Sequence, residues 1–258
     1  MNAMQRVRGA ARVDIDRHGL RDLSQRGSAK AILPRVDGPD PEVVFLNTAG
    51  GVTGGDRLEY ACNVGPGTRV VAATQTAERA YRSAGGAGRI DVGLSVGPGA
   101  RLDWLQQETI LFDGSVTRRE TMVDLAPDAA LLMVESVVLG RAAMGEAGRD
   151  ARLDDIRTVR RAGRIVHSEH LSLGPDALAC PATLGGARAL ASLVLIGPGA
   201  ADALPRLRAL PAFAAASAWD GRLVARFAHG EAAILRRALI DAILALRGMP
   251  MPRVWQAE

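Results

Sequence analysis

The chain is poor in cysteine, lysine and aromatic residues, and each shortage argues against a class of function. Only Cys62 and Cys180 occur in 258 residues, which leaves no disulfide framework and no CxxC motif. Three Trp, two Tyr and four Phe offer few rings for stacking on nucleic-acid bases. Lys30 is the only lysine among 32 basic residues, and acids alternate with bases, so the formal charge of +4 forms no basic block. We therefore predict no nucleic-acid partner.

Long apolar runs are missing as well. No stretch approaches the roughly 18 apolar residues that a membrane-spanning helix needs. The segment from Met1 to Leu20 carries four arginines but no apolar core of the kind that a secretory signal contains. We therefore expect a cytoplasmic protein with no membrane partner. No linker or low-complexity stretch interrupts the chain, which predicts a single domain over residues 1–258.

Glycine and proline are abundant, with 29 and 13 residues, which favours many short strands over long helices. Apolar and polar residues alternate over 58–64 and 89–96, a period of two that predicts half-buried strands and turns Cys62 inward. Further strands are predicted at 43–47, 68–76, 101–107, 120–125, 130–138, 154–159, 164–173, 190–196 and 222–229.

A weak internal repeat runs through the first half of the chain. The sequence VGPGTRV at 64–70 returns as VGPGARL at 96–102 and, less closely, as LAPDAAL at 125–131. A turn and an apolar strand that recur about every 30 residues are typical of stacked β-layers. Recurring Pro-Gly turns in an ordinary all-β protein would give the same pattern. We predict a mainly β fold, a layered helical β arrangement of the solenoid or sandwich type, strand-rich over 12–200 and 222–229.

The C-terminal quarter has a different period. Between 231 and 247, Leu235, Leu239 and Ile243 lie on one stripe, and Gly248 follows it, which predicts an amphipathic helix. A second helical stretch is predicted at 201–216, where Pro205 is tolerable only near the first turn. The fold class is therefore mainly β with a few C-terminal α-helices.

The segment 47–56, NTAGGVTGGD, contains two glycine pairs that permit positive φ and a close approach of the backbone. A phosphate cradle is one interpretation. However, the segment lacks the Lys-Ser/Thr ending of a P-loop and leads into a predicted strand rather than a helix. Tight turns between strands are the favoured interpretation, with Asp56 as a cap or a polar site residue.

Three polar positions lie on predicted strands. Gln75 and Gln107 occupy equal positions in the repeat, so their amides could line a channel or form a structural ladder, which we favour. Glu135 shares a strand face with apolar residues, so its carboxylate must be paired or hydrogen-bonded. Arg141 is its nearest candidate partner. An ion pair that sets register and a carboxylate in a polar cavity or metal path are both open interpretations.

No catalytic constellation is recognisable. His167 and His170 lie three apart on a predicted strand and so point to opposite faces, which argues against a shared metal site. No zinc signature or nucleophile elbow occurs. We predict a protein that is not an enzyme. The alternative is a hydrolase or nucleotide-binding enzyme that uses loop 47–56 with Asp56, Glu108 and Glu135.

Taken together, these clusters resemble the urease accessory protein UreD family, also called UreH. The resemblance rests on five stretches in one order: 47–56, 78–83, 107–114, 135–146 and 252–255. Any one of them is weak, and the five in order are specific. The motif residues are Gly50, Gly51, Gly54, Gly55, Tyr81, Arg82, Gly140 and Arg141.

The resemblance implies a non-enzymatic protein that binds apo-urease and the accessory protein UreF, and through UreF the GTPase UreG. It implies help with nickel insertion, no tightly bound cofactor, and an internal tunnel that nickel passes in transit. From their polarity, the candidate lining residues are Asp56, Gln75, Gln107, Glu108, Asp113, Glu135 and Glu146. Asp56 and Glu135 are at most transient metal ligands, because oxygen ligands release a divalent ion more readily than a Cys/His cage. We also expect Glu135→Ala to impair maturation more than Glu169→Ala.

Overall fold

The structure is a computed structural model that describes residues 6–35, 38, 40–209 and 214–256. The ends of the predicted domain, 1–5 and 257–258, lie outside this range. Within it the strands are β1 (Arg8–Asp16), β2 (Gly19–Gly27), β3 (Ala29–Ile32), β4 (Glu42–Asn47), β5 (Arg57–Val64), β6 (Arg69–Thr74), β7 (Glu78–Ala80), β8 (Gly88–Val96), β9 (Arg101–Leu105), β10 (Thr109–Leu111), β11 (Val116–Leu125), β12 (Ala130–Leu139), β13 (Arg152–Arg161), β14 (Arg164–Leu173), β15 (Ala189–Ile196), β16 (Ala214–Trp219) and β17 (Arg222–His229). The helices are α1 (Pro175–Ala179), α2 (Pro181–Leu184), α3 (Leu204–Arg208), α4 (Ala232–Arg247) and α5 (Arg253–Gln256), with 3-10 turns at Ala142–Met144 and Ala201–Ala203.

The strands form two sheets that face each other. Sheet A has the order β14-β13-β11-β8-β5-β1-β2, and sheet B has the order β16-β17-β15-β12-β9-β6-β4-β3, with β10 also pairing with β12, and β7 pairing with β10. The chain alternates between the sheets, so that β5, β8, β11 and β13 pair in parallel in sheet A, and β6, β9 and β12 do so in sheet B. This stacked, solenoid-like arrangement confirms the predicted fold class.

The sequence repeat sets the register of the stack. In sheet B, Val70 pairs with Leu102, and Leu102 pairs with Leu131, so equal positions of the repeat lie side by side on neighbouring strands. The turns stack too, because the Gly67 amide donates to the Pro98 carbonyl at 2.8 Å. The repeat therefore marks successive coils of the stack rather than unrelated turns.

Sheet B is covered on both faces. Its inner face packs against sheet A through residues that include Leu102, Trp104, Leu131, Met133, Val92, Leu94 and Val123. Its outer face packs against α4 through residues that include Leu132, Val134, Leu193, Leu235, Leu239 and Ile243. This double burial explains why β12 is an almost continuous apolar run, whereas β11 of sheet A alternates.

The C-terminal helix is confirmed, since α4 spans Ala232–Arg247 against a prediction of 231–247. The helical prediction for 201–216 is wrong at its end. Helical residues cover 201–208, residues 210–213 lie outside the described chain, and Ala214–Trp219 is an edge strand paired with β17. The sequence AAASAW favours a helix by alanine content, but tertiary pairing overrides that weak preference.

Candidate functional site

Glu135 lies between the sheets, as its strand parity predicts, and is 2% exposed. Its Oε2 lies 2.8 Å from Nη1 of Arg119, a 1% exposed residue that β11 extends across the gap from sheet A. The predicted partner, Arg141, is wrong. Arg141 instead pairs with Glu146 at 2.6 Å, because the chain turns at Gly140 (φ +65°) and carries Arg141 away from the β12 inner face.

Further charges continue from Arg119 through the core. Arg119 makes a two-point contact with Asp155 of β13, with Nε–Oδ1 at 3.1 Å and Nη2–Oδ2 at 2.7 Å. Asp155 also lies 3.1 Å from Nη2 of Arg157, whose Nη1 reaches Glu169 at 3.3 Å. Arg226 closes the series at 2.9 Å from Glu169. We call this series of alternating sign the charge row: Glu135, Arg119, Asp155, Arg157, Glu169 and Arg226.

The carboxylates of the charge row differ in their electrostatics. Burial raises the pKa of Glu135 against the opposing effects of Arg119 and of Trp104. The Trp104 indole N–H lies near the carboxylate but makes no well-aligned hydrogen bond to either oxygen. Burial also opposes ionisation of Asp155, but Arg119 and Arg157 outweigh it and lower the pKa. For Glu169, burial is outweighed by its hydrogen bonds and cations, which lower its pKa to about 2. Glu135 is therefore the least satisfied carboxylate of the three.

Both ends of the charge row, Glu135 and Arg226, border one surface groove. This groove, of about 560 Å³, lies where β13 and β14 face β15, β16 and β17, with α2 at one side. Its polar lining comes from Glu135, Arg157, Glu169, Ser192 and Arg226. Its apolar walls include Leu171, Leu184, Leu190 and Phe227. Glu135 thus lies at the wall of the groove, with its carboxylate oxygens buried.

A polar path leads away from the other side of Arg119. Arg119 Nη1 donates to the Thr109 hydroxyl at 3.2 Å, and Thr109 pairs in register with Glu78. Glu78 accepts a hydrogen bond from Asn47 Nδ2 at 3.2 Å and borders a small cavity of about 30 Å³, which the exposed Gln75 also lines. Arg119, Thr109 and Glu78 thus place polar side chains on β11, β10 and β7, between the groove and a second surface.

Glu78 makes folding sensitive to pH. Burial raises its pKa to about 7, against the opposing hydrogen bond from Asn47. Between its ordinary pKa of 4.5 and about 7, the folded chain holds a proton that the unfolded chain releases, so stability falls as pH rises. We expect Glu78→Gln to raise the free energy of unfolding at pH 8 by about 1–3 kcal/mol.

Urea denaturation at pH 5 and pH 8 measures this effect. The matched control is Glu59→Gln, at a side chain that is 45% exposed, and it should leave the pH dependence unchanged. An equal loss of stability between pH 5 and pH 8 in wild type and Glu78→Gln would contradict the prediction.

Asp56 closes the glycine-rich loop. Its two carboxylate oxygens accept backbone N–H bonds from Val7 at 2.8 Å and Thr53 at 2.9 Å. A Cβ on Gly54 would lie 2.0 Å from Ser83 Oγ and 2.5 Å from the Gly85 carbonyl. The glycines therefore let this loop contact another loop of the same chain, which supports tight turns over a phosphate cradle.

Gln107 and Glu108 hold the C-terminal end of the chain. The Gln107 side chain donates to the Val254 carbonyl at 2.7 Å and accepts from Arg236 at 2.6 Å. Glu108 pairs with Arg236 at 3.1 Å. Gln75 is exposed, so the favoured amide ladder is wrong for these two described residues. Their backbones match in the repeat, but the Gln107 amide is already bonded to the C-terminal segment.

The other motif residues pack together the three loops that carry Tyr81, Phe112 and Arg141. The Tyr81 ring meets Phe112 edge to face at 5.1 Å, and the Arg141 guanidinium lies 4.1 Å from the Phe112 centroid. A Cβ on Gly140 would lie 2.4 Å from the Glu146 carbonyl, so only glycine fits. Comparable close approaches occur at Gly51 beside Tyr81 and at Gly114 beside Arg82. Asp113, half-buried, follows Phe112 in the same loop cluster, to which the Arg141–Glu146 pair also belongs.

The carboxylates of the alternative enzyme hypothesis have separate partners. Asp56 caps a loop, Glu108 pairs with α4, and Glu135 faces Arg119. His167 is buried and His170 is exposed, as the strand parity predicts. In the part of the chain that is described, no three His, Cys, Asp or Glu side chains are placed to hold a metal ion. None of the described helices has the length and apolar character to cross a bilayer.

Sequence reasoning found one member of the charge row, Glu135, and missed the others as site residues. A signal was present. Arg119 shares its strand face with Val123 and Leu125, and Asp155 and Arg157 share theirs with Leu153 and Val159, as the burial patterns show. A charged residue on an apolar strand face could thus have identified each of them as a candidate site residue, as it identified Glu135.

Comparison with known proteins points to one family. The family model described as UreD urease accessory protein matches residues 5–256. A urease accessory protein UreD of Jannaschia sp. is 54% identical over 257 residues, covering 98% of this chain and 96% of the relative. Those of Cereibacter sphaeroides (strain ATCC 17025) and Rhizobium leguminosarum bv. viciae are 54% and 44% identical, covering 98% and 95% of this chain and 92% of each relative.

The layered fold and these relatives define the class as the urease accessory proteins, which have a role in urease maturation. Within that class, the chain belongs to the UreD family.

Proposed function

We propose that this chain is a non-catalytic scaffold of urease maturation in the cytoplasm. It binds apo-urease and UreF, and through UreF it binds UreG. It assists nickel insertion by conducting the ion along the polar path between its sheets. Family membership supports the role in maturation. The observation that supports the nickel path is the charge row, which lies in the core between the sheets and borders an open groove.

The ligand chemistry of the path suits an ion in transit. Carboxylate oxygens bind a nickel ion less tightly than thiolate and imidazole cages do. Cys62, the buried cysteine, faces the same inter-sheet core, but burial raises the pKa of its thiol to about 12. A thiol that stays protonated near neutral pH is a poor metal ligand. The donors for a passing ion are therefore carboxylate oxygens, and those of Glu135 are the least satisfied in the charge row.

Replacing Glu135 tests the nickel path. We expect Glu135→Gln to lower the nickel content and activity of co-expressed urease about tenfold, because the amide is a weaker cation ligand in the middle of the path. Nickel per urease active site is measured by elemental analysis of purified urease. Glu59→Gln on the exposed face of sheet A is the matched control and should give the wild-type nickel content.

The scaffold role and the nickel path are tested by separate measurements. Pull-down of UreF and apo-urease by wild type and by Glu135→Gln should be equal, since the Glu135 side chain is 2% exposed and offers a partner almost no surface. Equal nickel content in the Glu135 and Glu59 variants would contradict the path. No capture of UreF or apo-urease by wild type would contradict the scaffold. Glu169 is not a useful contrast to Glu135, because both belong to the charge row.

A further inference from the structure

Arg119 stands between the groove and the Glu78 cavity, and it is bound unequally on its two sides. Asp155 receives two hydrogen bonds from it, at 3.1 and 2.7 Å, and Thr109 receives one at 3.2 Å. Glu135 lies 2.8 Å from Nη1, but it accepts no well-aligned hydrogen bond from any described residue. The contact with Glu135 is therefore the weaker one.

The two carboxylates lie on adjacent amino groups of one guanidinium. Glu135 contacts Nη1, and Asp155 contacts Nη2. A cation centred where this guanidinium lies would thus have both carboxylates within reach. Glu135 and Glu169 both line the groove, but Glu169 is already bonded to Arg157, Arg226 and Ser192. Glu135 is therefore the groove carboxylate whose oxygens have no aligned donor among the described residues.

We propose that Arg119 is a built-in counter-ion that prevents Glu135 from retaining a divalent cation. During passage the cation displaces Arg119 from Glu135, while Arg119 keeps its two hydrogen bonds to Asp155. When the cation leaves, Arg119 pairs with Glu135 again. This inference rests on the proposed nickel path, and it assigns to Arg119 the weak, reversible binding that such a path requires.

Charge arithmetic supports the assignment. The charge row holds three carboxylates and three guanidinium groups, so its formal charges cancel. A divalent ion beside Glu135 is repelled by Arg119 across a short distance in a medium of low dielectric constant, where charges interact strongly. Without the Arg119 charge, the same site would present two carboxylates to the ion, and Arg157 beside Asp155 would remain as a neighbouring cation.

Nickel binding by the purified full-length chain tests the inference. Calorimetric titration with Ni²⁺ should show that Arg119→Gln binds one ion at least about ten times more tightly than wild type, because the competing charge is gone. Arg119→Lys keeps the charge and should bind within about twofold of wild type. The double variant Arg119→Gln/Glu135→Gln should not show the tighter nickel binding of Arg119→Gln. A folded Arg119→Gln chain that binds nickel no more tightly than Arg119→Lys overturns the inference.

A second comparison remains decisive if Arg119→Gln does not fold. Wild type should bind Ni²⁺ weakly, in the millimolar range, and Glu135→Gln should remove that binding. Wild type without detectable binding at millimolar Ni²⁺ overturns the inference, as does binding by Glu135→Gln equal to that of wild type.

These titrations contain no urease, so they separate the inference from the proposed function. Tighter nickel binding by Arg119→Gln together with normal nickel content of urease activated by that variant would support the counter-ion and refute the path. If Arg119→Gln binds nickel no more tightly than wild type, and Glu135→Gln delivers little nickel to urease, the result would support the path and refute the counter-ion.

Discussion

Asp155→Ala is expected to lower the free energy of unfolding by about 3–5 kcal/mol, the cost typical of removing one partner from a buried ion pair. Asp155 is fully buried and neutralises two buried guanidinium groups, those of Arg119 and Arg157. Alanine would leave both guanidinium groups without this carboxylate while they remain buried. Urea denaturation monitored by circular dichroism at neutral pH measures the loss.

The preceding residue supplies a matched control. Asp154 lies on the opposite face of β13, is 40% exposed and contacts His170 at the surface. Asp154→Ala should change the free energy of unfolding by no more than about 0.5 kcal/mol. Similar losses in the two variants would mean that the charge row contributes no more to stability than a surface ion pair does.

Trp255→Ala is expected to cost about 3–5 kcal/mol, in the range of other large-to-small core substitutions. The Trp255 ring is buried against the outer face of sheet B, and its Nε1 donates to the Leu105 carbonyl at 2.9 Å. Arg236 lies 4.6 Å from the ring centroid. Loss of the ring removes the packing that holds the C-terminal segment against α4 and sheet B.

Two measurements check this effect. Urea denaturation gives the loss of stability, and limited proteolysis should cut the C-terminal segment of Trp255→Ala faster than that of wild type. Arg253→Ala, at an exposed position of the same short helix, should behave as wild type in both. Unchanged proteolysis in Trp255→Ala would show that Trp255 does not anchor the segment.

The sequence was most informative where one physical rule determines a local pattern. Alternation predicted the β14 and β17 boundaries as the structure has them, because each of these strands ends at a turn. The Pro-Gly repeat predicted stacked β-layers, and its equal positions lie side by side on neighbouring strands of sheet B. Alternation missed β2, since every residue but the first of that edge strand is exposed and no apolar pattern marks it.

The candidate site was harder to predict, because its contacts join distant strands. Glu135 was found from its parity alone, but its partner lies on the opposite sheet. The nearest arginine after the strand was the wrong choice, because sequence proximity says nothing about what faces a residue across two packed sheets. Glu78 was missed as a site residue because its burial depends on loops that fold over a short strand.

The coils of the stack differ in length, and this bears on how such proteins can diverge. In sheet A, Leu58 pairs with Ile90, Ile90 with Arg119, and Arg119 with Asp155, so the steps along the chain are unequal although every pair stays in parallel register. Extra residues are thus absorbed in the bends, while the inward side chains keep their spacing. Changes of bend length can reshape the outer surface without moving the ionised groups of the interior, whereas losing one residue within a strand would turn those groups outward.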